Sequence, residues 1–295
     1  MKRIVPGGCK IIQCIEECLN MKMISRRSFL AAAGVAAAAL ALTACGSSAS
    51  STASSAASSE AASTSAAAGE LTTVEAGKLT MATNAAFPPY EMTTDAGEFE
   101  GIDVETAQAI ADKLGLELQI DDMDFDAALL SVQQGKADIV MAGVTVTDER
   151  KAVMDFSDSY ATGIQSIIVP EGSDIASPDD LAGKKIGTQR GTTGYIYCSD
   201  DFGDENVVAY DDGLTAVQAL NNGQVDAVVI DNAPAQEFVA ANPGLVILDT
   251  SYAEEDYAIG MAKGSALEAA VNGALEELKA DGTLQAIVDK YITAE

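Results

Sequence analysis

The sequence predicts an α/β fold made of two similar lobes, with two crossings of the chain between them. An internal repeat is the first observation: residues 128–140 and 216–228 each combine a helical stretch, a glycine turn and an apolar strand. Two copies this far apart do not form a solenoid, which needs several adjacent repeats. The second observation is a pair of β-rich runs, at residues 166–170 and 257–261, that are suited to cross from one lobe to the other.

The composition excludes one class of partner and indicates export. The chain of 295 residues is 48% apolar, which allows a sizeable core, and carries a net charge of −28. A nucleic-acid-binding surface needs clustered Lys and Arg, so we expect no nucleic-acid partner. Six of the 17 basic residues but only two of the 45 acidic residues precede Cys45. A basic start on an acidic body is typical of a processed, exported protein.

Residues 21–45 have the three parts of a signal peptide. Basic side chains come first, a short Ala-rich apolar run follows, and small residues precede Cys45. The run is too short to span a bilayer. The segment S-R-R-S-F-L from Ser25 resembles a twin-arginine export signal, and L-T-A-C resembles a bacterial lipobox, in which the cysteine is lipidated. We therefore predict lipidation at Cys45, with the lipid anchor as the only contact with the membrane.

The segments on either side of this signal need separate interpretations. Residues 1–20 fit poorly in front of a signal peptide, so we interpret them as a start-site extension, with translation beginning at Met21 or Met23. Residues 46–74 are rich in Ser and Ala and cannot bury a core, which predicts a flexible linker.

We expect neither a metal nor a cofactor. Cys9, Cys14 and Cys18 make a weak metal site, because the chain contains no histidine. Residues 122–126, D-M-D-F-D, resemble the start of a calcium loop, but the glycine position is Ala127 and the twelfth position is glutamine instead of glutamate. These carboxylates are more consistent with a solvated loop at a helix N-terminus.

The first lobe begins with a strand, a proline-containing loop and a helix. Residues 78–83 predict a strand, and two prolines after Phe87 end the regular structure in a loop. In this loop Tyr90 is expected in the core, whereas Phe87 is better placed to meet a ligand. Residues 101–114 have apolar side chains at helical spacing before a glycine. Phe125, a bulky apolar residue in a polar loop, is a second candidate for contact with a ligand.

The segment A-G-V-T-V-T-D-E-R at residues 142–150 follows the apolar strand of the first repeat. Small ligands bind beyond the carboxyl ends of strands in open α/β sheets. Arg150 can hold a carboxylate through two parallel hydrogen bonds, and Thr145 offers a backbone N–H and a hydroxyl nearby. The alternative is that Arg150 forms an ordinary surface ion pair with Asp148 or Glu149.

The strand of the second repeat leads to Asp231. Asp231 and Arg150 thus both follow equivalent strands, one in each repeat. An arginine from one lobe and an aspartate from the other suit an α-amino acid, which carries a carboxylate and an ammonium on one carbon. Residues 190–194, R-G-T-T-G, offer backbone N–H groups at a predicted helix start and lack the G-K-[ST] of a phosphate loop. A glycine turn without a binding role is the alternative. Residues 272–279 and 284–291 are predicted helices that return the chain to the first lobe.

With these motifs in place, the chain resembles the family of extracellular solute-binding proteins, family 3, that serve polar amino acid ABC transporters. The motifs that carry the resemblance are F-P-P-Y-E from Phe87, G-I-D-V-E from Gly101, the segment at residues 142–150, D-F-S-D from Asp155 and G-A-L-E-E-L-K-A-D-G-T from Gly273. The resemblance implies a two-lobed, periplasmic-binding-protein-like (type II) fold with two hinge crossings. The implied boundaries are 75–166 for the first part of lobe 1, 167–257 for lobe 2 and 258–295 for the return to lobe 1.

The resemblance also implies how the backbone groups of an amino acid would be held. Arg150 and the N–H groups of Thr145 and Thr193 would hold the carboxylate. Asp231, the carbonyl of Gly143 and the hydroxyl of Thr145 would hold the ammonium.

Four further residues would contact the side chain of the ligand. Phe87 and Phe125 would flank it, and Asn84 and Gln189 would read its polarity. Family members that bind basic amino acids often have Asp at the position of Asn84, so we favour an uncharged polar ligand. The carboxylates near Phe125 keep a basic ligand as the alternative.

The function implied is to bind an extracellular amino acid between the lobes and to deliver it to the permease subunits of an ABC transporter for import. We expect a monomer without catalytic residues that is exported and lipid-anchored on the outer face of the cytoplasmic membrane. Two alternatives stay open. One is a ligand-binding sensor that reports to a separate receptor, and the other is a dehydratase on the same fold, with a carboxyl group such as Asp231 or Glu91 as its acid or base.

Overall fold

The structure is a computed structural model that describes residues 71–292. The predicted start-site extension, the signal peptide, the lipidation site Cys45 and most of the linker lie outside the described residues. Within residues 71–292, no helix combines the length and the apolar character that crossing a membrane requires.

The first part of the described chain contains seven strands and three helices. In chain order they are β1 (Lys78–Thr83), β2 (Ala86–Phe87), β3 (Glu91–Thr93), β4 (Phe99–Glu100), α1 (Ile102–Leu114), β5 (Glu117–Asp122), α2 (Phe125–Gln133), β6 (Ile139–Val140), α3 (Asp148–Val153) and β7 (Met154–Phe156). The predicted strand at residues 78–83 and the predicted helix after Gly101 are confirmed. Phe125, expected in a loop, is instead the first residue of α2.

The second part contains seven more strands and five more helices, with two short 3₁₀ turns at Pro178–Leu181 and Asp204–Asn206. The elements are β8 (Ala161–Pro170), β9 (Ile186–Gln189), α4 (Thr193–Phe202), β10 (Val207–Tyr210), α5 (Gly213–Asn221), β11 (Ala227–Asp231), α6 (Asn232–Ala241), β12 (Leu245–Ile247), β13 (Ala253–Tyr257), β14 (Gly260–Ala262), α7 (Glu268–Ala280) and α8 (Thr283–Tyr291).

Two large sheets organise most of these elements, and we name the lobes after them; β2, β3 and β4 form a separate three-stranded sheet. The sheet of lobe 1 has the strand order β5-β1-β6-β14-β7, and that of lobe 2 has the order β10-β9-β11-β8-β12, with β13 paired to β8. In lobe 1, β1 pairs in parallel with β5 and β6; in lobe 2, β9 pairs in parallel with β10 and β11. The carboxyl ends of the parallel strands therefore share one edge of each sheet, which is where ligands bind in such folds.

The chain crosses between the lobes twice. The first crossing occupies residues 157–160, because β8 belongs to lobe 2 from its first residue, where it pairs with β13. The run at residues 166–170, predicted to cross, is the second half of β8 and pairs with β11 and β12. The change of sheet thus comes ahead of the predicted boundary between residues 166 and 167. The second crossing, at residues 258–259 between β13 and β14, lies inside the predicted run at 257–261.

The internal repeat corresponds to the same substructure in both lobes. A helix, a turn and a strand form it in each case: α2, Gly135 and β6 in lobe 1, and α5, Gly223 and β11 in lobe 2. Gly135 and Gly223 have φ values of 65° and 67°. This left-handed conformation costs a residue with a Cβ about 1–2 kcal/mol, which explains why glycine stands at both positions. As a result, the segment that follows β6 in lobe 1 and the end of β11 in lobe 2 occupy equivalent positions in the two lobes.

The start of α1 is fixed by a glycine in close contact with the preceding strand region. Gly101 has φ 129°, and a Cβ at this position would lie 2.2 Å from the carbonyl oxygen of Tyr90. The apolar face of α1, including Ile102 and Ile110, is completely buried against lobe 1. Asp103 in the first turn is also completely buried, so the helix brings a carboxyl group into the interior.

Candidate ligand-binding site

A cavity between the lobes is lined by every residue that the sequence predicts to bind the ligand. The space free of atoms in the cavity and at its mouth, open solvent included, is about 310 Å³. The predicted residues on its wall are Asn84, Phe87, Phe125, Gly143, Thr145 and Arg150 from lobe 1, and Gln189, Thr193 and Asp231 from lobe 2. Glu91, Ala142 and Thr192 also line the cavity, and the sequence analysis did not assign them to ligand binding.

Arg150 lies in the first turn of α3, which begins after Thr147, whose hydroxyl oxygen accepts a hydrogen bond from the Arg150 N–H at 3.2 Å. The guanidinium donates from Nη1 to the carbonyl of Thr145 at 2.7 Å and from Nη2 to the carbonyl of Gly191 at 3.2 Å. It also lies 5.3 Å from the ring centre of Phe125, in the geometry of a cation–π contact. Arg150 is therefore held inside the cavity by both lobes.

This placement excludes the alternative of an ordinary surface ion pair for Arg150. The residue is only 9% exposed, and its guanidinium bonds to carbonyl groups instead of the neighbouring acids Asp148 and Glu149. Burial lowers the pKa of Arg150 from its ordinary value, and the negative charge of Glu255 partly offsets this effect. An arginine stays charged in proteins, so the cavity contains a guanidinium that can pair with an anion.

Asp231 ends β11 and is buried at the lobe 2 side of the cavity. Its Oδ2 accepts a hydrogen bond from Nε2 of Gln165 at 2.9 Å, and its Oδ1 accepts one from the hydroxyl of Tyr257. Burial raises the pKa of Asp231 to about 7, the hydrogen bond from Tyr257 opposes the rise, and the nearby charge of Glu255 adds to it. A cation that enters the cavity would favour the ionised form of this carboxyl group.

Glu255 is the main residue that the sequence analysis missed. Its Oε2 accepts hydrogen bonds from the hydroxyls of Thr145 at 3.2 Å and Thr193 at 3.0 Å, and from Nε2 of Gln165 at 2.9 Å. Thr145 belongs to lobe 1 and Thr193 to lobe 2, so one carboxylate holds a cavity residue from each lobe. Because both hydroxyls donate to Glu255, their oxygens are left to accept hydrogen bonds from other groups.

A signal for Glu255 is present in the sequence. Side chains two residues apart on a strand share one face, so a buried Tyr257 implies that Glu255 is buried as well. The strand β13 shows this alternation, with Glu255 and Tyr257 buried and Glu254 and Asp256 exposed. The β-rich run predicted from the sequence begins only at Tyr257 and therefore leaves out Glu255.

Asn84 and Gln189 meet across the cavity. Nε2 of Gln189 in lobe 2 donates to Oδ1 of Asn84 in lobe 1 at 2.8 Å, and Nδ2 of Asn84 donates to the carbonyl of Met123 at 3.0 Å. The two amides that were predicted to read side-chain polarity are therefore hydrogen-bonded to each other. Both are neutral groups that can donate and accept.

The two aromatic residues of the loop after β1, Phe87 and Tyr90, are both buried. Phe87 lines the cavity and lies close to Gly143, where a Cβ would be 2.7 Å from the Phe87 ring. Gly143 has φ 54°, a conformation that favours glycine. Tyr90 is buried in the core and packs edge to face on Tyr257, with ring centres 5.2 Å apart.

The charges of the wall determine what the cavity can bind. A guanidinium from lobe 1 lies at one side, and the buried carboxyl group of Asp231 lies at the lobe 2 side. The buried carboxyl group of Glu255 lies behind the wall, bonded to the hydroxyls of Thr145 and Thr193. Thr193 is the first residue of α4, and the first N–H groups of a helix have no partner within the helix and favour an anion. The arrangement can therefore bind a small molecule that carries both an anionic and a cationic group.

The fold and the site together define a class of protein. Two α/β lobes with two crossings enclose a polar cavity, and the structural neighbours with this arrangement are type II periplasmic amino acid-binding proteins. The chain belongs to the bacterial extracellular solute-binding proteins, family 3, whose characteristic sequence pattern matches residues 79–294.

Individual relatives support this assignment. The L-cystine-binding protein TcyJ of Escherichia coli (strain K12) is 34% identical over 226 residues, which are 75% of this chain and 85% of the relative. The arginine-, lysine-, histidine-binding protein ArtJ of Geobacillus stearothermophilus has a crystal structure with TM-score 0.71 and 35% identity, covering 74% of this chain and 96% of that one. An ancestral arginine-binding protein bound to glutamine gives TM-score 0.71 and 41% identity, covering 74% of this chain and 99% of that one.

Proposed function

We propose that this protein binds one free amino acid in the cavity, between Arg150 of lobe 1 and Asp231 of lobe 2. The observation that carries the proposal is the burial of these oppositely charged side chains on the wall of one cavity. Buried charges need partners, and an α-amino acid supplies a partner of opposite sign to each. Membership of the solute-binding family and relatives named for amino acids support the same class of ligand.

The backbone groups of the ligand are assigned to both lobes. The carboxylate pairs with the guanidinium of Arg150 and with N–H groups of Thr145 and Thr193, supported by the N-terminus of α4. The ammonium pairs with Asp231, the carbonyl of Gly143 and the hydroxyl of Thr145. The bond from this hydroxyl to Glu255 supports the assignment, because it turns the Thr145 oxygen into an acceptor.

The side chain of the ligand lies between Phe87 and Phe125 and ends at Asn84 and Gln189. We propose an uncharged polar amino acid, because the two amides are neutral and can donate to and accept from such a side chain. A ligand of this kind replaces the bond between Asn84 and Gln189 with bonds of its own.

We also propose that the two lobes close on the ligand and that the closed protein delivers it to the permease subunits of an ABC transporter for import. A ligand that touches both lobes binds the closed form more tightly, and this difference in affinity moves the equilibrium toward closure. In this role the protein acts as a monomer without catalysis and is held by a lipid on Cys45 at the outer face of the cytoplasmic membrane. Family membership supports the export and the transporter partnership.

The test is a thermal-shift screen of the chain from residue 46 onward against the common amino acids and cystine. A ligand at roughly 1,000 times its Kd stabilises a protein by about 4 kcal/mol, which gives a clear rise in Tm. Arg150→Ala and Asp231→Ala should lose the rise. Arg190→Ala should keep it, because Arg190 is an exposed arginine outside the cavity wall. A rise that survives in both cavity variants, or no rise with any amino acid, would contradict the proposal.

A further inference from the structure

Two buried carboxyl groups of lobe 1 lie against each other beside the ligand cavity. Glu91 and Asp103 are both completely buried and are within hydrogen-bonding reach of each other. Glu91 follows the proline-containing loop and lines the cavity, whereas Asp103 belongs to the first turn of α1. Within residues 71–292, neither carboxyl group forms an ion pair with a lysine or arginine.

Asp103 has the surroundings of an ionised carboxylate. Its Oδ2 accepts hydrogen bonds from the backbone N–H of Gly143 at 3.0 Å and from the hydroxyl of Tyr160 at 2.8 Å. Its position in the first turn places it near the positive end of the α1 dipole, which stabilises a negative charge. Burial still raises the pKa of Asp103 to about 6, and the hydrogen bonds from Gly143 and Tyr160 oppose the rise.

Glu91 has the surroundings of a neutral acid. In the described part of the chain, both of its carboxyl oxygens and Oδ1 of Asp103 lack hydrogen-bond partners. Two ionised carboxylates in contact away from water would repel each other strongly without a cation. A proton on Glu91 removes the second charge and supplies an O–H that donates to Asp103. Burial first, then the charge of Asp103, raises the pKa of Glu91 well above its ordinary value, and the more distant charges of Asp231 and Asp122 act in the same direction.

We propose that Glu91 is a neutral carboxylic acid in the folded protein and that, by donating an O–H hydrogen bond to Asp103, it positions Gly143 for ligand binding. The positioning role rests on the proposed function of the cavity. Glu91 holds Asp103, Asp103 holds the N–H of Gly143, and Gly143 lies on the cavity wall. Glu91 is thus a positioning residue that keeps the pair at one negative charge.

The same pair connects the cavity to the hinge. Tyr160, which donates the other hydrogen bond to Asp103, ends the first crossing just before β8. The carboxylate of Asp103 therefore ties a residue of the cavity wall to a residue of the crossing. A second charge at Glu91 would disturb both contacts at once, because it would repel the carboxylate that makes them.

The proton itself can be tested without a ligand by infrared difference spectroscopy of the full chain. The measurement is made in an Asp231→Asn background, because Asp231 is itself partly protonated near neutral pH. At neutral pH this protein should show the carbonyl band of a protonated carboxylic acid, and the further change Glu91→Gln should lose it. Glu98→Gln, which changes an exposed glutamate of the same region, should keep the band. A spectrum that Glu91→Gln leaves unchanged would overturn the proposal whether or not the cavity binds amino acids.

The positioning role is tested by calorimetric titration with L-glutamine, L-arginine and L-cystine. Glu91→Leu removes the donor and should lower the affinity of the bound amino acid at least about tenfold, the loss expected for one charge-assisted hydrogen bond. Glu91→Gln should restore most of it, because an amide N–H can donate to Asp103 in place of the acid. If Glu91→Gln lowers the affinity as much as Glu91→Leu does, the ligand affinity depends on an ionised carboxylate at position 91, and the positioning role is wrong. If the wild-type protein binds none of the three, the titration uses the amino acid that the thermal-shift screen identifies. If that screen identifies none, the proposed ligand class fails, while the infrared result still decides the proton.

Discussion

At the scale of single residues, Asp231 stands where the cavity meets the hinge strands. It accepts hydrogen bonds from Gln165 of β8 and Tyr257 of β13, and it lines the cavity. Its pKa of about 7, raised mainly by burial, means that it changes charge near neutrality. An aspartate in water changes charge near pH 4.

Ligand affinity and ligand-free stability should therefore depend on pH in opposite directions. As the pH falls below about 7, Asp231 becomes protonated and no longer pairs with an ammonium, so affinity should fall by up to about tenfold per pH unit. Without ligand, the raised pKa favours the folded state most below about pH 4, and this contribution to the free energy of unfolding is lost as the pH rises through 7.

Both dependences can be measured between about pH 5 and 8, by calorimetric titration for affinity and urea denaturation for stability. Asp231→Asn cannot change charge, so it should weaken both slopes. Asp103 and Glu91, whose pKa values burial also raises, contribute to the stability slope that remains. An affinity that stays constant over this range would show that Asp231 does not meet a cationic group of the ligand.

A second residue-scale prediction uses two adjacent glutamates of β13. Glu255→Gln removes the charged acceptor for the hydroxyls of Thr145 and Thr193 and for the amide of Gln165. Hydrogen bonds to charged groups contribute about 1.5–3 kcal/mol each, so ligand affinity should fall by roughly tenfold or more. Glu254→Gln makes the same chemical change on the exposed face and should leave affinity unaltered. Equal effects of the two substitutions in a calorimetric titration would remove Glu255 from the site.

At the scale of the element, the start of α1 depends on Gly101. Gly101→Ala should destabilise the protein more than Gly97→Ala, although both glycines have positive φ values. The left-handed conformation alone costs alanine about 1–2 kcal/mol at either position. A Cβ at Gly97 would meet open space, whereas one at Gly101 would lie 2.2 Å from the backbone oxygen of Tyr90 and force the helix away from it.

Urea denaturation gives the comparison directly, as a difference in midpoint at constant slope. The free energies of unfolding of the two variants should differ by about 2 kcal/mol, because extra atoms forced into packed structure typically cost about 1–3 kcal/mol. Similar midpoints would mean that the junction between the loop and α1 yields easily, and the position of Asp103 would then not be fixed by this contact.

The elements also show what the sequence could and could not predict. Local patterns predicted β1, α1 and both copies of the helix–turn–strand repeat, because hydrophobic spacing and glycine turns depend only on residues within each segment. The beginning of β8 was missed, because it joins the lobe 2 sheet through β13, far away in the sequence.

The site residues also divide into those that local sequence patterns predict and those that depend on tertiary contacts. Arg150, Asp231 and the other motif residues were identified because each stands at a strand end or helix start that the sequence marks. Glu255 and Gln165 lie on paired strands from distant parts of the chain, and only the tertiary structure shows that their side chains bond to each other. Glu91 was visible as part of a motif, but its contact with Asp103 depends on how α1 packs.

At the scale of the whole molecule, direct bonds hold the lobes together around the cavity. Gln189 bonds to Asn84 at 2.8 Å, and Arg150 reaches the carbonyl of Gly191 at 3.2 Å. The ligand therefore competes with contacts that already favour closure.

Asn84→Ala should shift the ligand-free protein toward an open arrangement. Loss of one neutral hydrogen bond of about 1 kcal/mol changes the ratio of open to closed forms roughly fivefold. Small-angle X-ray scattering should show a larger radius of gyration without ligand. Asn221→Ala removes a bond of the same kind and length, to Asn242 within lobe 2, and should leave the radius unchanged. Equal radii for wild type and both variants would show that the contact with Gln189 does not hold the lobes together.

The strand order of lobe 1 has a consequence for the time at which the protein becomes active during synthesis. β14 lies between β6 and β7, although almost the whole of lobe 2 is translated before it. A nascent chain that stops at residue 257 contains every strand of lobe 2 but has a gap in the middle of the lobe 1 sheet. The lobe 1 side of the cavity wall is then without its complete supporting sheet. The cavity between the lobes can therefore form only after the ribosome has synthesised β14, near the end of the chain.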